Sequence, residues 1–405
     1  MKDRLRKINV AVIGGGPAGL TTAAEIARRG VQVEVFEEHP RIGEPKHCAG
    51  LVSIEGFRRL AIQPSREFVQ NTISGGVLYS PKGISIEVES FRPRAYVIDR
   101  PAFDRYLATK AEKLGVKINF SSRVEALIRE EECTSVQTSK ERVYADLAVN
   151  AGGVAATLTP RIRISSGRDM RLTGVNTEIE GCSVEEDKVE VWFGGDLAPG
   201  LFAWVIPLSV DRVRCGLGCN GGNPVEKLEK FILKRFGYRK PLQIWGGTIL
   251  LGGPVRKTYG EGLILVGDAA GQTKPTTGGG VILGGLCAIE AGRVAVEAVE
   301  AGDSSEKFLA RYQSAWREKY GGDFSKMIAV RKFANNLTDD QLDQIFRIMK
   351  DENMEDELRG VTEEGDMDLQ GKVITSVLTN PAFLRILIKV SGQTLYSRLR
   401  RILNL

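Results

Sequence analysis

The sequence predicts a mixed α/β fold: a layered, largely parallel sheet, an inserted unit of antiparallel strands, and a helical C-terminal region. Three observations carry this. A Val/Ile-rich run at Asn9 to Ile13 leads directly into Gly14-Gly15-Gly16-Pro17-Ala18-Gly19 and a helical stretch. Alternation with period two recurs further on, as in Lys188-Val189-Glu190-Val191-Trp192-Phe193 and Arg212 to Gly218. Beyond residue 301 the pattern is helical and charged, with an acidic stretch from Asp339 to Asp368.

At 405 residues the chain exceeds one simple core, so two or three structural units are expected. A net charge of +5 with no long basic run argues against nucleic acid as a partner. Cys48, Cys133, Cys182, Cys215, Cys219 and Cys287 form no CxxC, and His39 and His47 are the only histidines, so no metal site is expected. The start, Met1 to Val10, lacks a signal-peptide layout, and no run of apolar residues is long enough to span a bilayer. The expectation is a cytoplasmic protein with reduced thiols.

The first element is a buried parallel strand at Asn9 to Ile13. The glycine segment follows, then a helix over Leu20 to Arg29 stopped by Gly30, then a second strand over Val31 to Phe36 that ends in Glu37-Glu38. The spacing has a chemical logic. Gly14 permits a tight turn, Gly16 lets the backbone approach a pyrophosphate, and Gly19 lets helix and strand pack closely. The helix start presents unpaired N–H groups and a positive dipole end to the phosphates. Glu37 is placed to accept hydrogen bonds from a ribose hydroxyl pair. A glycine turn in some other α/β protein is the bland alternative; the strand, helix and acid standing together favour a Rossmann-like dinucleotide site.

A second glycine segment separates FAD from NAD. Leu263 to Val266 reads as another buried strand, followed by Gly267-Asp268, Pro275, and Gly278-Gly279-Gly280 opening an apolar helix at Val281. A carboxylate at a strand end suits ribityl or ribose hydroxyls. N–H groups at the helix start suit the flavin edge where negative charge gathers on reduction. No second GxGxxG marks a nicotinamide domain.

The pairing of Gly14 to Glu37 with Gly267-Asp268-Ala269-Ala270-Gly271 resembles the FAD proteins of p-hydroxybenzoate-hydroxylase-like fold. Three features resemble the geranylgeranyl reductase branch: Lys46-His47-Cys48-Ala49-Gly50; Phe202-Ala203-Trp204-Val205-Ile206-Pro207 followed by Gly216; and Lys274-Pro275 ahead of Gly278-Gly279-Gly280. The likeness runs in order over about the whole chain. Phe202 stands where the branch has Tyr, Ile206 where it has Phe, and Gly152 in the middle place of an Ala-Asp-Gly or Ala-Thr-Gly end.

The resemblance implies one FAD. Gly14, Gly16, Ala18 and Gly19 would hold its pyrophosphate and Glu37 its ribose. Cys48, Ala49 and Leu51 would lie along the ribityl and ring, Arg100 would reach the ribityl or phosphate region, and Val124 would pair its backbone with adenine. Asp268, Gly280 and Val281 would close the site. Phe202, Trp204 and Pro207 would wall a substrate tunnel; core packing is the bland reading of such aromatics. For Cys48, a place over the flavin where it tunes or supplies a proton stands beside a purely packing role. His47 points away from Cys48 in extended chain and reads as solvent-facing or structural. Cys215 and Cys219 share a strand face too far apart for a disulfide.

The FAD-binding domain is expected to be discontinuous, at 1–70, 96–160 and 254–300. The substrate-binding domain is expected at 71–95 and 161–253, and the helical region at 301–405. Leu395 to Leu405 carries an apolar stripe opposite Arg398, Arg400 and Arg401, suited to peripheral contact with the inner face of an anionic membrane or to docking on the chain's own domain.

The resemblance implies saturation of C=C bonds in geranylgeranyl chains of archaeal-type ether lipid precursors. The substrate would be a prenyl lipid and the external electron donor NAD(P)H or ferredoxin-like. An electron-transfer flavoprotein is the alternative, weakened by the lack of a C-terminal cysteine cluster. A monooxygenase of the same fold ranks behind it.

Overall fold

The computed structural model of the chain describes residues 6–155 and 170–390. The strand Arg6–Ile13 lies at the middle of an eight-stranded sheet. It pairs in parallel with Val33–Phe36 on one side and Arg142–Asn150 on the other. Lys117–Asn119 extends the sheet beyond Val33–Phe36, and Leu263–Leu265 extends it beyond Arg142–Asn150. The helices Pro17–Arg28, Arg100–Lys113 and Val281–Ala301 pack as one layer, burying Leu20, Ile26, Phe103 and Leu283 against Val10, Val12, Val35 and Leu147. Burial on both faces explains why these strands read as unbroken apolar runs. The first helix starts at Pro17 rather than Leu20, because proline suits the first helical turn, where no N–H partner is needed.

A seven-stranded sheet forms the second body. Its order is Ile244–Leu250, Arg171–Glu180, Arg212–Cys219, Ala203–Pro207, Lys188–Trp192, Gly75–Tyr79, Ser85–Val88. The helix Pro224–Phe236, capped by the Asn223 side chain, lays Leu228, Phe231 and Ile232 over one face against Ile179, Val205, Cys215 and Leu217. Cys215 and Cys219 are both buried there as free thiols.

A three-stranded sheet of Leu51–Ser53, Ala95–Ile98 and Val69–Ile73 bridges the two bodies. Phe57, Phe68, Tyr96 and Phe103 cluster beneath it. Residues 71–73 therefore sit in the bridge, and the seven-stranded sheet takes its first strand from Gly75.

Beyond residue 301 the chain forms the helices Glu306–Ala334, Asp339–Asp351, Glu355–Glu364 and Gly371–Thr379, followed by a further helix at Pro381–Val390. Leu309, Tyr312 and Trp316 anchor the long helix on the first body. The acidic stretch is only partly solvated: Asp343 is 2% exposed and accepts from the Ser80 hydroxyl and the Lys82 amide. The stripe at 395–405 lies outside the described residues.

Candidate functional site

One cavity of about 890 Å³ runs between the two bodies and gathers the segments singled out in the sequence. At one end stands the glycine loop. Gly14 has φ +97°, and a Cβ there would lie 2.6 Å from the Ala151 carbonyl oxygen. A Cβ on Gly19 would lie 2.0 Å from the Gly14 carbonyl, so this glycine serves helix–strand contact and does not line the cavity. Gly16 caps the helix with no side-chain hydrogen bond, and nothing lies within 4 Å of where its Cβ would be. Glu37 closes this end. Its carboxylate accepts from the Gly15 amide at 2.7 Å and the His39 amide at 2.9 Å. Val124, at the start of its strand, borders the same end beside Arg123.

The middle of the cavity is formed by Cys48, Ala49, Leu51, Arg100, Asn150, Asp268, Gly280 and Val281. Cys48 Sγ accepts from the Gly50 amide at 3.3 Å and faces the Arg100 guanidinium, so both of these neighbours present donors to it. Burial disfavours the charge on Arg100, but Asp104 and Cys48 outweigh it and hold its pKa above the usual guanidinium range. Burial raises the pKa of Asp268, with His47 and Arg100 opposing. Its remaining exposure is to the cavity. His47 reaches the cavity wall too, its Nδ1 2.9 Å from the Pro45 carbonyl.

The loop carrying Cys48 is held from behind. Arg214, 1% exposed, donates to the Ala49 carbonyl at 2.8 Å, the Ile98 carbonyl at 3.2 Å, Gln70 Oε1 at 2.8 Å and Glu178 Oε1 at 2.9 Å. Glu178 also pairs with Lys46 and Arg212. Gly50, with φ +77°, leaves room for this guanidinium: a Cβ there would lie 2.7 Å from Arg214 Nη1. Opposite, Arg331 holds the segment before the helix at Val281, donating to the Pro275 carbonyl at 3.0 Å. Burial lowers its pKa to about 10.

The far end is apolar, lined by Phe202, Trp204, Ile206, Val189 and Ile249. Phe202 and Trp204 meet edge to face at 6.1 Å, and Trp204 Nε1 donates to Asn176. Pro207 closes the same strand outside the cavity, where its carbonyl accepts from Asn71. Period two explains this split: Phe202, Trp204 and Ile206 share one strand face and Pro207 points to the other. Gly216 sits behind Trp204 on the next strand. A Cβ there would lie 2.3 Å from the Val175 carbonyl and 2.7 Å from the indole. Gly216→Ala is expected to cost about 1–3 kcal/mol by overpacking and to shift tryptophan emission. Urea unfolding with fluorescence detection checks both.

The wall residues Asn150, Asn176 and Asp368, and Arg214 behind the wall, carried no local signal. Asn150 Nδ2 is buried with no hydrogen-bond partner among the described residues.

This donor set fits FAD. Open space at Gly16, an uncapped helix start and a free amide donor suit the phosphates, and the Glu37 carboxylate suits ribose hydroxyls. Fold and site together define an FAD-dependent oxidoreductase, and residues 7–218 match the FAD binding domain family. The chain is 33% identical over 360 residues to digeranylgeranylglycerophospholipid reductase 2 of Methanothermobacter thermautotrophicus, covering 86% of this chain and 93% of that one. It is 32% identical over 368 residues to the digeranylgeranylglycerophospholipid reductase of Methanocaldococcus jannaschii, covering 84% and 91%. The chain belongs to this reductase family.

Among solved structures, the geranylgeranyl bacteriochlorophyll reductase-like protein of Thermoplasma acidophilum superposes with a TM-score of 0.83 at 23% identity, over 98% of this chain and all of that one. The flavin-dependent brominase Bmp2 shares the fold at a TM-score of 0.66 and 15% identity, over 97% of this chain and 99% of that one.

Proposed function

We propose that this protein saturates C=C bonds in the geranylgeranyl chains of archaeal-type ether lipid precursors. The observation that carries this is one cavity, continuous from the glycine loop at Gly14–Gly16 to the apolar end at Phe202, Trp204 and Ile249. A prenyl chain has no polar handle, and walls of this kind would hold it by burial alone. The names of the relatives support the same substrate class.

Reduced FAD, when bound, supplies hydride. The chain's own residues do the rest. Isolated alkenes lack an oxygen to accept charge, so the protein would have to deliver a proton to the less substituted carbon and shelter the tertiary, cation-like carbon beside it. Phe202, Trp204 and Ile206 orient the chain and exclude water that would quench that cation. Glu37, Asn150 and Asp268 bind and orient the cofactor.

The electron donor is an external reductant, NAD(P)H or ferredoxin-like. The protein works in the cytoplasm, touching the inner membrane face where its lipid resides. Among the described residues no single helix is long and apolar enough to cross a bilayer.

The test uses FAD-loaded protein reduced with dithionite and mixed anaerobically with a geranylgeranyl lipid. Mass spectrometry is expected to show two added hydrogens per double bond, with flavin reoxidised in step. Tight FAD with no mass gain would sink the substrate assignment and favour electron transfer to a partner protein or quinone.

A further inference from the structure

Reduction of each alkene consumes a proton, and Cys48, surrounded by donors, is poorly arranged to give one. A second cavity of about 480 Å³ lies at the surface, bordered by Ser53, Arg59, Arg94, Asp366 and Lys372. Exposed Arg58 and Glu55 stand at its rim. Met367 borders both this outer cavity and the inner one.

Three polar side chains cross the wall between them. Ser53, 2% exposed, borders the outer cavity and donates its hydroxyl to Asp368 Oδ2. Asp368 is also 2% exposed. Its other oxygen, Oδ1, accepts from Lys274 Nζ at 2.8 Å. Lys274 and Asp368 both line the inner cavity. The ammonium lies against the glycine run that opens the helix at Val281: a Cβ on Gly279 would be 3.3 Å from Nζ and 2.7 Å from Cε. Glycine at that position lets the charge come up to the cavity.

A structural ion pair tying residue 274 to the C-terminal region is the plain alternative. Burying such a pair is costly and often no more stable than an apolar contact. The Ser53 oxygen also caps the helix Ile54–Arg59 by accepting from the Gly56 amide at 2.8 Å, which leaves its proton to point at Asp368. Of the other charged groups nearby, Asp366 takes the Asp368 amide and Arg59, Arg94 donates to the Glu363 and Gly365 carbonyls, and Asp323 takes the Gly371 amide, while Lys372 and Glu364 border only the outer cavity.

We infer that Ser53, Asp368 and Lys274 form a proton path from the outer cavity to the inner one, with Lys274 releasing the proton at the reacting bond. This rests on the prenyl reductase reading. The alkene π bond breaks; one carbon gains the hydride, and the other gains the proton that leaves the Lys274 N–H bond. The alkene is reduced by two electrons and the reduced flavin oxidised by two. Lys274 regains its proton through Asp368, which is recharged by way of the Ser53 hydroxyl from water in the outer cavity.

The experiment follows flavin reoxidation by a geranylgeranyl lipid in FAD-loaded protein by anaerobic stopped flow, in H₂O and D₂O. Lys274→Arg keeps the charge and the Asp368 partner but not a readily released proton. It is expected to slow the step about 100-fold with FAD retained. Lys274→Ala is expected to be slow and to recover on addition of methylammonium. Ser53→Ala is expected to be slowed and Ser53→Thr, which keeps the hydroxyl and the helix cap, to behave as the wild type. In a second readout without lipid, proton uptake during dithionite reduction of the flavin is followed with an indicator dye; Asp368→Asn and Ser53→Ala are expected to delay it. A wild-type rate and solvent isotope effect in Lys274→Arg, or no recovery with methylammonium, would overturn the path. If wild-type protein itself fails to reduce the lipid, the prenyl reading falls, and proton uptake still decides the path.

Discussion

Gly16→Leu is expected to cost the FAD-free protein no more than about 1 kcal/mol, the scale for losing a good helix-capping residue, while FAD affinity drops at least ~100-fold. The two properties separate because of where the space lies. Gly16 has φ −77° and ψ 178°, an extended conformation any residue adopts. Among the described residues, its chain neighbours aside, nothing lies within 4 Å of the position its Cβ would take. A side chain there meets only the place where a pyrophosphate must approach the helix start. Gly19 three residues on behaves in the opposite way, since its Cβ would strike the Gly14 carbonyl oxygen and disturb the fold itself. Thermal unfolding of FAD-free protein and titration with FAD measure the two effects. Equal FAD affinity in Gly16→Leu would remove the glycine loop from the cofactor site.

Arg214→Met is expected to cost about 3–5 kcal/mol, the scale for removing one partner from a buried charged network. The Ala49 and Ile98 carbonyls and the Gln70 side chain lose their donor, and Glu178 loses its most buried cation. Lysine is not expected to rescue, because one ammonium cannot span acceptors that the guanidinium fork reaches together. The acid response also changes. Burial alone would raise the Glu178 pKa, but Lys46 and Arg214 bring it from 4.5 down to about 2. A depressed carboxyl contributes stability that is full above pH 4.5 and lost as pH falls to about 2. The variant, with a smaller depression, loses less stability across that window. Urea unfolding at several pH values measures both the total loss and its acid-dependent part. The Cys48–Gly50 backbone loosens with it, so FAD release is expected to quicken.

The parts of the site visible in sequence are those whose chemistry is local. The strand, glycine loop, helix start and Glu37 lie within about thirty consecutive residues and act on one ligand. Spacing alone therefore carries their geometry. Asp268 needed a second local pattern and a family likeness. Phe202 and Trp204 were expected on the wall together with Pro207 by family likeness; alternation along the strand explains why Ile206 lines the cavity and Pro207 faces elsewhere. Asn150 reads only as a strand end until the opposing loop is in place. Asp368 sits in a stretch that looks like solvated acid; its partners lie at positions 53 and 274. Arg214 alternates with apolar neighbours on its strand, and the four acceptors it joins come from four separate segments. Contacts of that kind have no period, so no sequence pattern announces them.

The register of the parallel sheet fixes the order of assembly during synthesis. Asn150 at the end of one strand is beside Leu265, which the ribosome delivers 115 residues later, since 265 − 150 = 115. At ordinary elongation speeds of about 5–20 residues per second this takes roughly 6–23 s. Throughout that interval the edge of Arg142–Asn150 that later receives Leu263–Leu265 lacks its parallel neighbour, while the five strands from Arg171–Glu180 to Ile244–Leu250 join the two of the seven-stranded sheet already made. The nascent chain carries the glycine loop from the start and Asp268 only after Ile244–Leu250, the last-made strand of the seven-stranded sheet. The cofactor site is therefore completed by a closing latch, on a molecule whose other half has already been made.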